Sequence, residues 1–282
     1  MPMKPSSPAV LLRSLLAAVA VAAPASALAM FENGGFESGD FTGWTLEGGT
    51  NPGLAGGEPF DGSSVLINPG SAGPSAVVGQ ITDPYAPTIV LPRLGSHTAQ
   101  LNDAGGGALV TVLRQTDIVS TDDIDPADGL PHVRFAFAPV LEDPSHAPHE
   151  QPYFFVQVKD IDADVVLFEQ FAYSGQAGVD FLQGVGNWKY LEFQDVDAVL
   201  PADAIGNRIE LTVIAADCAL GAHGGYVYVD GFGSSTLPPD NGAGGGQPRE
   251  VRPVPTLGTT TTGLLALLVG FAGWWRSRRR TA

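Results

Sequence analysis

The sequence is short of cysteine: Cys218 is the single one in 282 residues. No intramolecular disulfide can form, so stability has to come from a packed core or a bound ion. Basic side chains are scarce as well. Between Met30 and Asp240 there are only Arg93, Arg114, Arg134, Lys159, Lys189 and Arg208. These six face 29 acids in the same stretch, a net charge of −23. So negative a surface repels phosphate backbones and anionic headgroups, which excludes nucleic acid as a partner. It favours solubility and, where acids cluster, hard cations such as calcium. Long segments with a 3.6-residue apolar period are missing before the C-terminal tail, which excludes a helical domain. The Gly-x-Ser-x-Gly, Walker and dinucleotide-binding patterns are missing too. No residue is nominated as catalytic.

What is present instead is glycine (36), proline (23) and a succession of short alternating runs. The alternation predicts strands at 108–118, 133–140, 153–159, 165–173, 188–193, 209–215 and 226–232. Weaker strands are expected at 64–67 and 76–81, inside an otherwise loop-rich stretch from Glu47 to Thr88. Val133, Phe135 and Phe137 share one face of their strand. Eight to ten short strands in one unit imply an all-β fold, a β-sandwich of the jelly-roll type, over residues 30–237. Residues 238–252, with Gly242-Ala243-Gly244-Gly245-Gly246, read as a flexible spacer.

Both ends carry targeting signals. Lys4 and Arg13 precede an apolar run from Leu15 to Ala23, and Ala27-Leu28-Ala29 fits the small-x-small cleavage rule. Residues 1–29 are therefore expected to be a signal peptide, cut after Ala29 by signal peptidase once the export machinery has engaged it. At the other end, residues 253–275 carry no charge. A helix over about 257–275 is expected there, with Trp274 and Trp275 at the interface and Arg276, Arg278, Arg279 and Arg280 held on the cytoplasmic side. Val254-Pro255-Thr256-Leu257, the short apolar helix and the arginine cluster together resemble the IPTL-CTERM sorting signals, relatives of the PEP-CTERM signals handled by exosortases. The resemblance implies a sorting signal over 253–282 and an exosortase-type partner. It also implies an inner-membrane intermediate and delivery to the cell surface or extracellular matrix. An ordinary C-terminal membrane anchor is the alternative, although the apolar core from Gly263 to Trp275 is short for a permanent span.

The mature N-terminus, from Phe31-Glu32-Asn33-Gly34-Gly35-Phe36-Glu37 through Trp44, resembles the opening of carbohydrate-binding-module-like jelly rolls with a galactose-binding-type fold. Tyr226-Val227-Tyr228-Val229-Asp230-Gly231-Phe232 resembles their last strand. In that family the first and last strands pair and often hold a structural calcium. The resemblance implies Glu37 and Asp230 as carboxylate ligands and the Gly35 carbonyl as a third. The alternative is that Glu37 accepts backbone hydrogen bonds and Asp230 sits in a turn. Phe36, Phe41 and Trp44 are expected in the core.

Two further segments, 136–155 and 216–226, resemble stretches of large bacterial surface proteins whose domain has no assigned activity. In the first, His146, His149, Glu142, Asp143 and Glu150 offer metal donors. A zinc site lacks a further ligand at fixed spacing, and Pro144, Pro148 and Pro152 preclude a helix presenting the donors. A calcium-binding acidic loop or a solvated loop are the other readings. In the second, Cys218 and His223 could form a nucleophile pair. The glycines around them fit a tight loop better, with Cys218 a small buried residue. Asp122-Asp123-Ile124-Asp125-Pro126-Ala127-Asp128-Gly129 and Asp160-x-Asp162-x-Asp164 imitate calcium loops without the Gly-then-Glu completion. Acidic surface turns are expected there.

These readings converge on a non-catalytic exported surface or matrix protein, with polysaccharide the candidate ligand and Trp44, Trp188 and Tyr173 the candidate groove aromatics. A glycan hydrolase or lyase on the same scaffold is the alternative, and it would need two carboxylates converging in a cleft. A purely structural matrix role is the third.

Overall fold

The computed structural model describes residues 30–235. Along the strand His132–Glu142, every residue from His132 to Leu141 is buried. Val133, Phe135, Phe137 and Leu141 point into the space between two sheets, while Ala138 and Val140 point the other way, under a covering loop. A strand buried on both faces reads as a continuous apolar run, not as an alternation.

In chain order the strands are β1 (Thr45–Thr50), β2 (Asn68–Gly70), β3 (Ala76–Val78), β4 (Ile81–Thr82), β5 (Val90–Leu91), β6 (Thr98–Leu101), β7 (Leu109–Ile118), β8 (His132–Glu142), β9 (Tyr153–Asp160), β10 (Val165–Tyr173), β11 (Leu182–Gln183), β12 (Trp188–Tyr190), β13 (Gln194–Val199), β14 (Arg208–Ala216) and β15 (Gly225–Gly233). One sheet runs β10-β9-β14-β7-β1-β2. The other runs β11-β12-β8-β15-β6-β3, with β13 also paired to β8, and β4 and β5 form a small ribbon. Every pairing is antiparallel. The fold is an all-β sandwich, as the sequence implies. Its core joins Leu113, Val156, Leu211 and Val213 of one sheet to Phe135, Phe137, Val227 and Val229 of the other.

Loops cover the outer faces. Leu54, Phe60, Val65 and Ile67 lie over Val110, Val112, Phe155 and Ile214. Ala86, Ile89 and Leu91 lie over Val140, Tyr226 and Tyr228. The segment expected as a strand at 64–67 is therefore coil that supplies apolar cover. The loop-rich stretch does hold a strand, β1, which its Gly48-Gly49 pair disguised. A Cβ on Gly48 would lie 2.1 Å from the Val110 carbonyl oxygen, so β1 can approach β7 only through glycine. β13 was likewise unforeseen. The strand expected over 188–193 stops at Tyr190, and the chain pairs again with β8 from Gln194.

The expected pairing of first and last strands does not occur: β1 adjoins β2 and β7, whereas β15 adjoins β8 and β6. The chain ends meet by other means. Residues 30–44 form a looped plug whose Phe31, Phe36 and Trp44 rings pack on Phe232 of β15, with ring centroids 6.5, 6.3 and 5.0 Å away. The Phe232 amide donates to the Gly34 carbonyl (3.0 Å). Asn33 braces the plug, donating from Nδ2 to the carbonyls of Asp40 and Thr42 and accepting at Oδ1 from the Ser38 amide. The Met30 amide donates to buried Asp123.

Among the described residues no helix is long and apolar enough to cross a membrane. The expected signal peptide with Ala27 and Ala29, the 238–252 spacer, Val254-Pro255-Thr256-Leu257, the 257–275 helix and the terminal arginines lie outside the described residues.

Candidate functional site

Asp230 lies at a register shift in β15, just before Gly231 (φ +69°), and its side chain is fully buried. Oδ2 accepts hydrogen bonds from the Leu94 amide (2.9 Å) and the Thr98 hydroxyl (2.7 Å). Oδ1, equally enclosed, has no hydrogen-bond partner among the described residues. Glu37 reaches the same loop from the N-terminal plug. Its Oε1 accepts from the amides of Ser96 (2.8 Å) and His97 (3.2 Å). The fit is close: at Gly95 (φ +59°) a Cβ would fall 2.1 Å from that oxygen.

Burial pushes the Asp230 carboxyl up to about 8; the Thr98 and Leu94 hydrogen bonds oppose the rise, and the Glu37 charge adds to it. A neutral Asp230 would need an acceptor for its proton, and an ionised one needs a donor or a cation at Oδ1. The adjacent Gly231 amide also opposes the rise, but it makes no hydrogen bond of normal geometry to Oδ1. Buried polar atoms are rarely left unpartnered, and a hard cation bound by oxygens would satisfy this one. Asp230 Oδ1 and the Glu37 carboxylate are the oxygen ligands this loop could offer a calcium ion. Gly35 stays at the side of Glu37, where an added Cβ would sit 3.6 Å from the Glu37 Cγ. Glu37 and Asp230 thus come together on one loop. The alternative reading is visible in the same place, since Glu37 does accept backbone hydrogen bonds.

A second buried carboxylate, Asp217, was not singled out by the sequence. Its Oδ2 accepts from the Leu109 amide (3.0 Å) and its Oδ1 from the Gly225 amide (3.2 Å). Burial pushes it up to about 7 against those hydrogen bonds. It locks the loop that precedes β15. A third, Asp83, accepts four hydrogen bonds: the hydroxyls of Tyr226 (2.7 Å) and Tyr228 (2.8 Å) and the amides of Tyr85 (2.7 Å) and Ala86 (2.6 Å). It pins the 83–91 loop over the sheet. Burial, followed by the adjacent Asp83 charge, pushes both tyrosine hydroxyls far above their usual range.

The aromatics expected to line a groove do not line one. Trp44 belongs to the inter-sheet core, Trp188 stacks on Tyr85 at 4.5 Å, and Tyr173 is buried with its hydroxyl on Glu58. No phenylalanine, tyrosine or tryptophan side chain is exposed among the described residues. Core demand explains this. With no disulfide, the large rings are needed to fill both the interior and the loop-covered outer faces. An open cavity of about 430 Å³ does lie beside Met30, with Glu32, Gln115, Thr116, Asp117 and Ser120 among its lining.

The remaining motifs separate. His149 is exposed with Nε2 3.9 Å from Glu150, and the Pro148–Glu150 segment is a single 3-10 turn. Asp123 accepts the Ser120 amide in the turn that Ser120 caps, while Asp125 and Asp128 accept the Ala127 and Leu130 amides. Asp160 accepts the amides of its own turn, Asp162 pairs with Arg208, and Asp164 pairs with Lys159. These acids serve turns and surface ion pairs. Cys218 is fully buried, and its amide donates to the His223 carbonyl (3.0 Å).

No family model matches this chain, and no curated protein does. Solved structures similar to it include CBM27-1 of Caldicellulosiruptor saccharolyticus in complex with mannohexaose, at 12% identity, covering 72% of this chain and 93% of that one with a TM-score of 0.35. Another is the K2 cleaved adhesin domain of Lys-gingipain, at 13% identity over 70% and 93% with a TM-score of 0.32. A third is CBM28, a carbohydrate-binding module specific for non-crystalline cellulose, at 15% identity over 71% and 90% with a TM-score of 0.32.

Proposed function

We propose that this chain is a non-catalytic exported protein, displayed at the cell surface or in extracellular matrix, whose sandwich is clamped by one calcium ion at Glu37 and Asp230. The observation that carries the reading is the enclosed Asp230 Oδ1, set beside the Glu37 carboxylate on residues 94–98. A cation there ties the N-terminal plug to the last strand, the task a disulfide performs in many exported domains. Delivery follows from the Ala27-Leu28-Ala29 cleavage pattern and the 253–282 sorting signal, with signal peptidase and an exosortase-type enzyme as partners.

Polysaccharide is the ligand class in this proposal. With the large rings buried, sugar hydroxyls would be met by polar groups, and the cavity lined by Glu32 and Thr116 is where they would lie. The hydrolase or lyase reading is less well supported. The carboxyls displaced furthest upward, Asp217 and Asp230, are the type a general acid needs. Both are buried and held by backbone amides, out of a substrate's reach.

Calorimetric titration of the full-length protein with Ca²⁺ tests the clamp. One equivalent should bind, and Glu37→Ala should abolish it. Binding to a polysaccharide array, with Glu32→Ala and Thr116→Ala as controls, tests the ligand class. Mass spectrometry of the mature termini from the fractionated host tests delivery. A C-terminus that retains Arg280 in the inner membrane would replace sorting by anchoring.

A further inference from the structure

Three donors that the sequence scatters come together at one end of the sandwich. Cys218 and His223 flank the turn between β14 and β15. His146 comes from the loop after β8. One ligand atom of each lies within 4.8 Å of the others. The Cys218 sulfur is 3.6 Å from His223 Nδ1, and the His146 and His223 rings meet edge to face with centroids 5.0 Å apart.

We propose that these three residues bind one zinc-class metal ion, a site separate from the calcium clamp and outside the function proposed above. The donor chemistry separates the two sites. Carboxylate oxygens suit a hard cation, whereas a thiolate with two imidazoles suits zinc and its borderline-soft relatives. Distance agrees. Zinc bonds of ~2.3 Å to sulfur and ~2.05 Å to nitrogen, at the tetrahedral angle, put the two donors about 3.5 Å apart. The observed sulfur–Nδ1 separation is 3.6 Å.

An independent observation is the His146 ring itself, whose Nδ1 is enclosed and without a hydrogen-bond partner among the described residues. Hydrogen bonds hold the loops that carry these donors in place. The Ala219 amide donates to the Glu150 carbonyl (2.9 Å) and the Glu142 amide to the Gly224 carbonyl (3.0 Å). The Gly224 amide returns a hydrogen bond to Glu142 Oε2 (3.2 Å), and Gln151 Nε2 holds the His146 carbonyl (3.2 Å). Gly221 (φ +77°) makes the turn that brings His223 back over Cys218.

Burial grades outward, from a fully buried thiol to two half-buried imidazoles. The protein thus contributes three ligands, and a fourth position is left for water or an incoming donor. That is the ligand count of an open zinc site, not a closed structural one. Binding releases the thiol proton to solvent as the sulfur becomes a thiolate ligand.

The test uses the full-length chain, reduced, stripped of metal and then saturated with Ca²⁺ so that the clamp is silent. Titration with Co²⁺ should give one equivalent, tetrahedral visible bands and a thiolate-to-cobalt charge-transfer band, all bleached by Zn²⁺. Cys218→Ser should lose the charge-transfer band, and His146→Ala should weaken binding at least ~10-fold, the scale on which even outer-shell partners matter. Should Cys218→Ser not fold, the wild-type charge-transfer band reports sulfur ligation by itself and His146→Ala, on a half-exposed loop, supplies the control. Absence of that band from folded wild type, its persistence in Cys218→Ser, or unchanged Zn²⁺ affinity in His146→Ala would overturn the site.

Discussion

Glu37 and Asp230 take hold of one short loop from opposite ends of the chain: Glu37 through the Ser96 and His97 amides, Asp230 through the Leu94 amide and the Thr98 hydroxyl. Two carboxylates on the same loop repel each other unless a cation lies between their free oxygens. Burial and the Glu37 charge push the Asp230 carboxyl up to about 8, so ionising it is costly in the metal-free fold, a cost that the proposed cation would offset.

Calcium should accordingly stabilise the protein by an amount that grows with the logarithm of its free concentration above the dissociation constant. At 100 times the dissociation constant the gain is ~2.7 kcal/mol, a rise in melting temperature of about 5–10 °C for a domain this size. Asp230→Asn should abolish that response while leaving the chelated protein, compared above pH 8, as stable as chelated wild type or more so, since it removes a buried group whose ionisation is costly. Differential scanning calorimetry with and without chelator measures both. A chelated Asp230→Asn protein that melts well below chelated wild type would argue against the repulsion.

Gly95 tests the geometry of the same loop. Gly95→Ala adds a Cβ at a left-handed φ and against Glu37 Oε1. Displacing that carboxylate should weaken Ca²⁺ binding by about tenfold or more, equivalent to ~1.4 kcal/mol, readable by calorimetric titration.

Gly34 tests the plug. A Cβ there would lie 1.9 Å from the Phe232 carbonyl oxygen, so Gly34→Ala must push residues 30–44 away from β15. Overpacking of this kind costs roughly 1–3 kcal/mol. Removing the Phe36 ring, which stacks on Trp44 at 5.3 Å, should cost about 3–5 kcal/mol in urea unfolding.

Asp83 should be among the least replaceable acids. Asp83→Ala strands two tyrosine hydroxyls and two amides beneath the 83–91 loop. Loss of hydrogen bonds to a buried charge costs about 1.5–3 kcal/mol for the first, with unsatisfied donors adding to it. Tyr228→Phe, which leaves Asp83 three donors, should cost less. Near-ultraviolet circular dichroism during unfolding distinguishes the two.

Stability against pH should show an acid limb. The Arg208 side chain lowers the Asp162 carboxyl, Lys159 lowers Asp164, and the Ala127 amide followed by Arg134 lowers Asp125. A carboxyl whose folded-state pKa is depressed stabilises the fold above its unfolded value, near 3.8 here, and loses that contribution as pH falls through the folded value. Melting temperatures should fall below about pH 4, and Asp162→Asn should flatten that limb. These groups are exposed, so each effect is small and screened by salt.

The sandwich was legible because its long strands have strong local patterns: β7, β9, β10, β14 and β15 lie where alternation places them. The strands that were not legible are glycine-rich or short, as β1 and β13 are, and owe their pairing to neighbours far along the chain. Asp230 and Glu37 stood out through a family resemblance. Asp217 and Asp83 did not, because a lone aspartate in a loop carries no signal until its donors are known. Trp44 lies in the core as expected, whereas Trp188 and Tyr173 line no groove, since burial and ring stacking on sugar call for the same residue types.

Composition and local periodicity alone determined that this chain would be an acidic, disulfide-free, all-β protein, because strand propensity and net charge are local or additive. Which side chains meet was decided only by the tertiary structure. Cross-sheet packing brought His146 to Cys218 and His223 and set Glu37 against the loop held by Asp230, and contacts across such separations depend on the closure of both sheets.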